Sequence, residues 1–226
     1  MTIHVLVEGP SERAFLERWS PRALRDQAVK VHPHQGKGQL PADPSAKPDP
    51  KHRGLLDQLP AKLRAFASTS GAESLRVVVL VDADDEDPES LAEAISTVAE
   101  SVSPNLEVLV RLAIEETEAF YLGDLAALEK AYPDADMKRA RKYQPDSVVG
   151  TWELFGAIVN DGGGNKVAWA ESMGSLVTTQ AARSRSPSFK AFVTGLRSFA
   201  PSETPAPRTR RYRHTPKNRQ EPGRRR

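Results

Sequence analysis

The chain has 226 residues, 38% hydrophobic and 27% charged, which is enough for one sizeable core with an appendage and ordinary for a water-soluble protein. It contains no cysteine, which excludes disulfides, zinc–thiolate sites and cysteine nucleophiles, and no apolar stretch approaches the length of a membrane span. The formal net charge is +2, but Pro207–Arg226 holds nine basic residues against one acid, a +8 tail that leaves −6 for the rest. An acidic body with a basic arm suits a protein that holds cations in its core and grips a polyanion, and it equally suits a merely solubilising tail.

The N-terminus enters a strand-like run at Ile3 with no basic region before it, so no signal peptide is expected and a cytoplasmic location follows. Thr2–Val7 reads as a first strand that stops at Glu8-Gly9-Pro10-Ser11-Glu12. Pro10 or Ser11 opens a helix with Phe15, Leu16 and Trp19 on its apolar side. Glu8 then leaves the strand end and Glu12 lies in the first helical turn, where both can face one point. Acids are favoured in a first turn anyway, so Glu12 carries less weight. An acid at the mouth of a buried strand, such as Glu8, costs desolvation unless something compensates it.

Ala28–His32 reads as a second strand. It leads to His34-Gln35-Gly36-Lys37-Gly38, where two glycines around Lys37 could bring amides and an ammonium to a phosphate. Pro41–Lys51 reads as an exposed loop, and Arg53–Thr69 as a helix that Pro60 should interrupt or kink.

The most informative stretch is Leu75-Arg76-Val77-Val78-Val79-Leu80-Val81-Asp82-Ala83-Asp84-Asp85. A valine-rich run of this kind reads as a parallel strand buried on both faces. In an extended backbone Asp82 and Asp84, two apart, point to the same side, an arrangement suited to binding Mg²⁺. A helix over Glu89–Ser101 follows, then a strand over Leu106–Ile114 that also ends in acid, at Glu115-Glu116-Thr117-Glu118. Three apolar strands thus terminate in carboxylates, which would repel one another unless cations sit between them. Short helices are expected over Leu125–Tyr132, Asp134–Tyr143 and Thr151–Val159, another from Lys166, and a last one over Ser186–Phe199. Arg139, Arg141 and Lys142 make a basic face, solvated or touching a nucleic-acid backbone. A lysine opening a helix is disfavoured by the helix dipole, so Lys166 is better explained by anionic groups nearby. From Pro201 onward the segment lacks periodicity and reads as disordered alone.

The order strand–Glu8…Glu12–helix, strand, helix, strand–Asp82-x-Asp84, helix, strand–Glu116-x-Glu118, then Lys166 resembles the Toprim domain. Its closest likeness is to the overcoming-lysogenization-defect (OLD) nucleases. The motifs Val7-Glu8-Gly9-Pro10-Ser11-Glu12 and Glu115–Leu122 also resemble domain-of-unknown-function family 4276. The resemblance implies an α/β, Rossmann-like, mostly parallel four-stranded sheet flanked by helices over residues 1–125, a helical extension over 126–200 and a basic tail over 201–226. It implies two Mg²⁺ (or Mn²⁺) ions, with Glu8, Asp82 and Asp84 holding one and Glu12 and Glu118, sharing Asp82, holding the other. Glu116-Thr117-Glu118 departs from the serine-x-acid of the nucleases, which leaves open whether Glu115, Glu116 or Glu118 is the ligand. Lys166 would stabilise charge on the phosphate.

The implied activity is metal-dependent cleavage of nucleic-acid phosphodiesters, DNA before RNA, in phage defence or DNA processing. Lys37 and the arm residues Arg208, Arg210, Arg211 and Arg213 would contact the polyanion. A partner ATPase encoded nearby and a homodimer are compatible, and no membrane is involved. The competing reading is a non-catalytic Toprim-like binding or assembly module working with that ATPase.

Overall fold

Parallel strands cannot be joined by tight turns, so each must be linked to the next by a crossover long enough to hold a helix. The computed structural model describes residues 1–69, 71, 75–147, 150–162 and 164–199, and it follows this rule three times. Strand β1 (Thr2–Val7) leads through α1 (Pro10–Ala23) to β2 (Ala28–Pro33). A long loop and α2 (Leu55–Ala67) return the chain to β3 (Leu75–Asp82), and α3 (Pro88–Val102) carries it to β4 (Glu107–Ala113). All pairings are parallel and the strand order is β2-β1-β3-β4. The sheet is therefore wholly rather than mostly parallel, flanked by helices as expected.

Side-chain alternation divides the strands between two cores. Ile3, Val5, Val7, Val78 and Leu80 face the larger core, with α1 and the C-terminal helices. Leu6, Val77, Val79 and Val81 face the smaller one, built on α2 and α3. Val77 through Val81 are all at most 1% exposed, and burying each contributes roughly 1.5–3 kcal/mol.

After β4 come α4 (Glu118–Leu122), α5 (Leu125–Ala131), α6 (Met137–Lys142), α7 (Thr151–Ile158), α8 (Lys166–Leu176) and α9 (Pro187–Ser198). Their aromatic residues enter the same larger core: Phe155, Trp169, Phe189 and Phe192 join Phe15, Trp19 and Phe120. Gly174 of α8 sits so close to α1 that an added Cβ would lie 2.5 Å from the Phe15 carbonyl oxygen. Five helices begin on a side-chain cap of their own: Asp87 accepts from Ser90, Asp124 from Ala127, Asp136 from Arg139, Asn165 from Ala168 and Ser186 from Phe189.

Pro60 departs from expectation. Helix α2 runs uninterrupted from Leu55 to Ala67 with Pro60 buried inside it. Only the acceptor of Leu56, in the first turn, loses its intrahelical donor, and the buried stripe Leu55, Leu59 and Leu63 holds the helix together. No helix among the described residues is long and apolar enough to cross a membrane.

The topology fixes where a site can be. From β1 the chain moves outward to β2 with α1 on one face, then returns past β1 to β3 and β4 with α2 and α3 on the other. The direction of winding reverses between β1 and β3, and at their carboxyl ends such a reversal opens a crevice.

Candidate metal and phosphate site

Glu8 and Asp82 meet in that crevice. The backbone N–H of Asp82 donates to Oε1 of Glu8 at 2.8 Å, joining the ends of β1 and β3. Thr117, beyond β4, donates its hydroxyl to Oδ1 of Asp82 at 2.8 Å. Glu12 comes up from the first turn of α1, 7% exposed, with Ser11 donating to its Oε1 at 2.8 Å. Gly9 leaves it room, since a Cβ there would stand 3.3 Å from Oε2 of Glu12. Glu118, 3% exposed, enters from the first turn of α4.

Burial, with the neighbouring carboxylates, raises the affinity of Glu8, Asp82 and Glu118 for protons. Burial, then Glu12 and Asp84, push Glu8 up to about 7, against the bond from the Asp82 amide. Burial, then Glu12, Glu8 and Glu118, push Asp82 well above the usual range. Burial raises Glu118 to about 7 even though Lys166 pulls it down. Acids from three strand ends are thus brought together at one edge.

Asp84 is placed differently from the expectation. The backbone leaves the extended state after Asp82, and Asp84 takes a left-handed φ of 50°. The argument that residues two apart share a side therefore fails here. Asp84 turns outward and accepts from Nζ of Lys37 at 3.1 Å, while Lys37 also reaches Glu86 at 2.6 Å. Burial draws the Lys37 ammonium down, but Glu86 and Asp84 outweigh it and hold it above its ordinary value. Lys37 is thus committed to carboxylates rather than standing free for a phosphate. Its loop is fixed by Gly36 and Gly38, both at positive φ, with Gly36 N–H donating to the Glu8 carbonyl at 2.9 Å.

The three glutamates after β4 point three ways. Glu115, at a left-handed φ of 75°, sends Oε2 into the helical region, where Tyr143 donates at 2.8 Å and Thr151 also donates. Glu116 accepts from the Trp152 amide at 2.8 Å and lies 3.6 Å from Nζ of Lys166. Glu118 alone joins the buried set. Lys166, at the start of α8, stands 4.7 Å from the centre of the Trp152 ring. Its awkward place at a helix start is thus offset by Glu116, by the aromatic face and by the Asn165 cap.

Two partners escaped the sequence. Tyr121, fully buried, lies in the field of Glu118, Glu12 and Asp82, and its hydroxyl has no hydrogen-bond partner. Its spacing of three from Glu118 on a helix was the available signal. Trp152 gave no signal, being 36 residues from Glu116. Arg208, Arg210, Arg211 and Arg213 lie outside the described residues.

No group of three or more histidine, aspartate or glutamate side chains already able to hold a metal ion is present among the described residues. In donor chemistry the residues fit a hard divalent cation: clustered carboxylate oxygens, mutual repulsion that a cation would relieve, and an unpartnered buried hydroxyl beside them. Their side chains would have to close around it.

No curated protein and no solved structure matches the chain. A family model, described as a domain of unknown function (DUF4276), matches residues 7–197. That match covers most of the chain, which belongs to the DUF4276 family.

Proposed function

We propose that the chain is a metal-dependent phosphodiesterase that cleaves nucleic acid. The observation that carries this reading is the meeting of Glu8, Glu12, Asp82 and Glu118 at the crevice between β1 and β3, where burial and neighbouring carboxylates raise the proton affinities of Glu8, Asp82 and Glu118. Glu8 and Asp82 would hold one Mg²⁺ or Mn²⁺ ion, and Glu12 and Glu118, sharing Asp82, a second. Asp84 would join the first by releasing Lys37. Bound divalent ions would supply an activated water and charge relief at the leaving oxygen.

The chain's own groups do the rest. Thr117 fixes one oxygen of Asp82, so the other stays available. The Asp82 amide fixes Glu8 in the same way. Lys166, beside Glu116 and over Trp152, places a cation at the rim where a phosphate's negative charge would develop. The resemblance to the OLD nucleases supports an effector role in a prokaryotic defence or DNA-processing system.

The test is nicking of supercoiled plasmid in Mg²⁺ or Mn²⁺, run beside Glu8→Ala and Asp84→Ala. The expected result is nicking by the unaltered chain and loss in both variants. Equal nicking by all three would sink the assignment.

A second reading is favoured by one feature. Lys37 and Lys166 already neutralise Asp84 and Glu116 without any ion, as they would in an assembly module working with a partner ATPase. Such a module keeps its partner when Glu8 is replaced, and it shows no nicking with the partner present.

A further inference from the structure

Helix α6 is the most basic described element outside the acid crevice. Its six residues, Met137–Lys142, include Lys138, Arg139, Arg141 and Lys142, and all four are exposed. The salt bridges among the described residues engage other cations, namely Arg13, Lys37, Arg76 and Lys166. The bland explanation is that cations near a helix C-terminus complement its dipole. Here that role is already filled from outside the helix. The guanidinium of Arg185 donates to the carbonyls of Ala140, at 3.4 Å, and Tyr143, at 2.5 Å. The four cations of α6 are left facing solvent.

A covalent and hydrogen-bonded path ties α6 to the acid crevice. Tyr143, directly after Lys142, turns inward and donates its hydroxyl to Glu115 at 2.8 Å. Glu116 is the next residue, and Lys166 lies 3.6 Å from it. Lys142 and Glu116 are therefore immediate chain neighbours of one buried hydrogen-bonded pair. The cationic helix α6 is thereby joined, through the Tyr143–Glu115 pair, to the segment that carries Glu116 and Glu118. The left-handed Glu115 makes this possible, since its reversed backbone sends one glutamate to Tyr143 and the next to Lys166.

We infer that α6 is a platform for the phosphate backbone of a polynucleotide, holding the strand beside the crevice. This rests on the nuclease reading and narrows its substrate to an extended strand rather than a mono- or dinucleotide. Phosphates spaced along a strand suit the four side chains, because each neutralised phosphate releases counterions. A short ligand at the crevice would leave most of α6 unused.

The experiment uses the full chain with Lys138, Arg139, Arg141 and Lys142 all changed to glutamine, a residue of similar helix propensity. Binding of a labelled DNA oligonucleotide, single-stranded and duplex, and of its RNA counterpart is followed by anisotropy across a salt series in EDTA. The melting temperature checks that the variant folds. The expected result is a salt dependence flattened by about 3 in log K per log salt and affinity reduced roughly tenfold or more. DNA and RNA are read as separate arms, and the larger loss names the substrate.

A second full-length variant, with Arg208, Arg210, Arg211 and Arg213 changed to glutamine, isolates the arm. An unchanged slope in the α6 variant, whether or not the arm variant changes, overturns the platform. A flattened slope together with an unaltered chain that fails to nick plasmid leaves α6 as a nucleic-acid surface and removes the nuclease reading instead.

Discussion

Glu8 shows how a single carboxylate sets its own pH dependence. Its folded proton affinity, about 7, lies above the ordinary 4.5 that the unfolded chain retains. Below about pH 4.5 both states hold the proton and its contribution to stability is fully present. As pH rises toward 7 the unfolded chain ionises first, so stability falls. Glu118, also about 7, acts in the same direction. The crevice acids therefore destabilise the metal-free protein at neutral and alkaline pH. His4, His32 and His34 are held below their ordinary values, mainly by burial, and oppose this trend by costing stability as pH drops through the mid-acid range. The difference between variants separates the two. In EDTA, Glu8→Gln should gain melting temperature over the unaltered chain, with a larger gain at pH 8 than at pH 5. A gain independent of pH would contradict the assignment. Tyr121→Phe tests the orphaned hydroxyl. It should leave metal-free stability equal or slightly higher, by up to about 1 kcal/mol, because an unpartnered buried group is removed. The same variant should bind Mg²⁺ more weakly by titration calorimetry.

Among the elements, α8 depends on a glycine for its position. A Cβ on Gly174 would sit 2.5 Å from the Phe15 carbonyl and 3.0 Å from Cβ of Arg18, so α8 could not stay where it is. Gly174→Ala should cost about 1–3 kcal/mol by overpacking, read as the shift in a denaturant midpoint. Because Lys166 starts the same helix, activity should fall further than the stability loss alone explains. The junction of β4 with α6 and α7 rests on Glu115, whose Oε2 receives Tyr143 and Thr151 while Oε1 is buried without a partner. Tyr143→Phe should destabilise by about 1–3 kcal/mol, since it withdraws a donor from an already under-satisfied buried carboxyl. Equal midpoints for the two proteins would show that the pair is incidental.

For the whole molecule, divalent ions should act as ligands of the folded state. Mg²⁺ at a hundred times its dissociation constant should stabilise by about 2.7 kcal/mol, observed as a rise in melting temperature that Glu8→Ala abolishes. The strands, a mostly parallel sheet and most helices were legible in the sequence, because apolar runs ending in acid and helical spacing are local signals; the strand order β2-β1-β3-β4 was not. The acids were legible as a set, Glu8 and Asp82 at the ends of buried strands and Glu118 in the acidic run after β4. The direction taken by each of those side chains was not legible. Left-handed backbone at Asp84 and Glu115 sends one acid out to Lys37 and the other back to Tyr143, against the alternation that an extended chain would give. Nor could Trp152 or the tie from α6 to the crevice be read beforehand. They depend on which surfaces meet when the C-terminal helices close over the larger core. Local spacing determines which residues are on a strand end; packing over long sequence separations decides what each one touches.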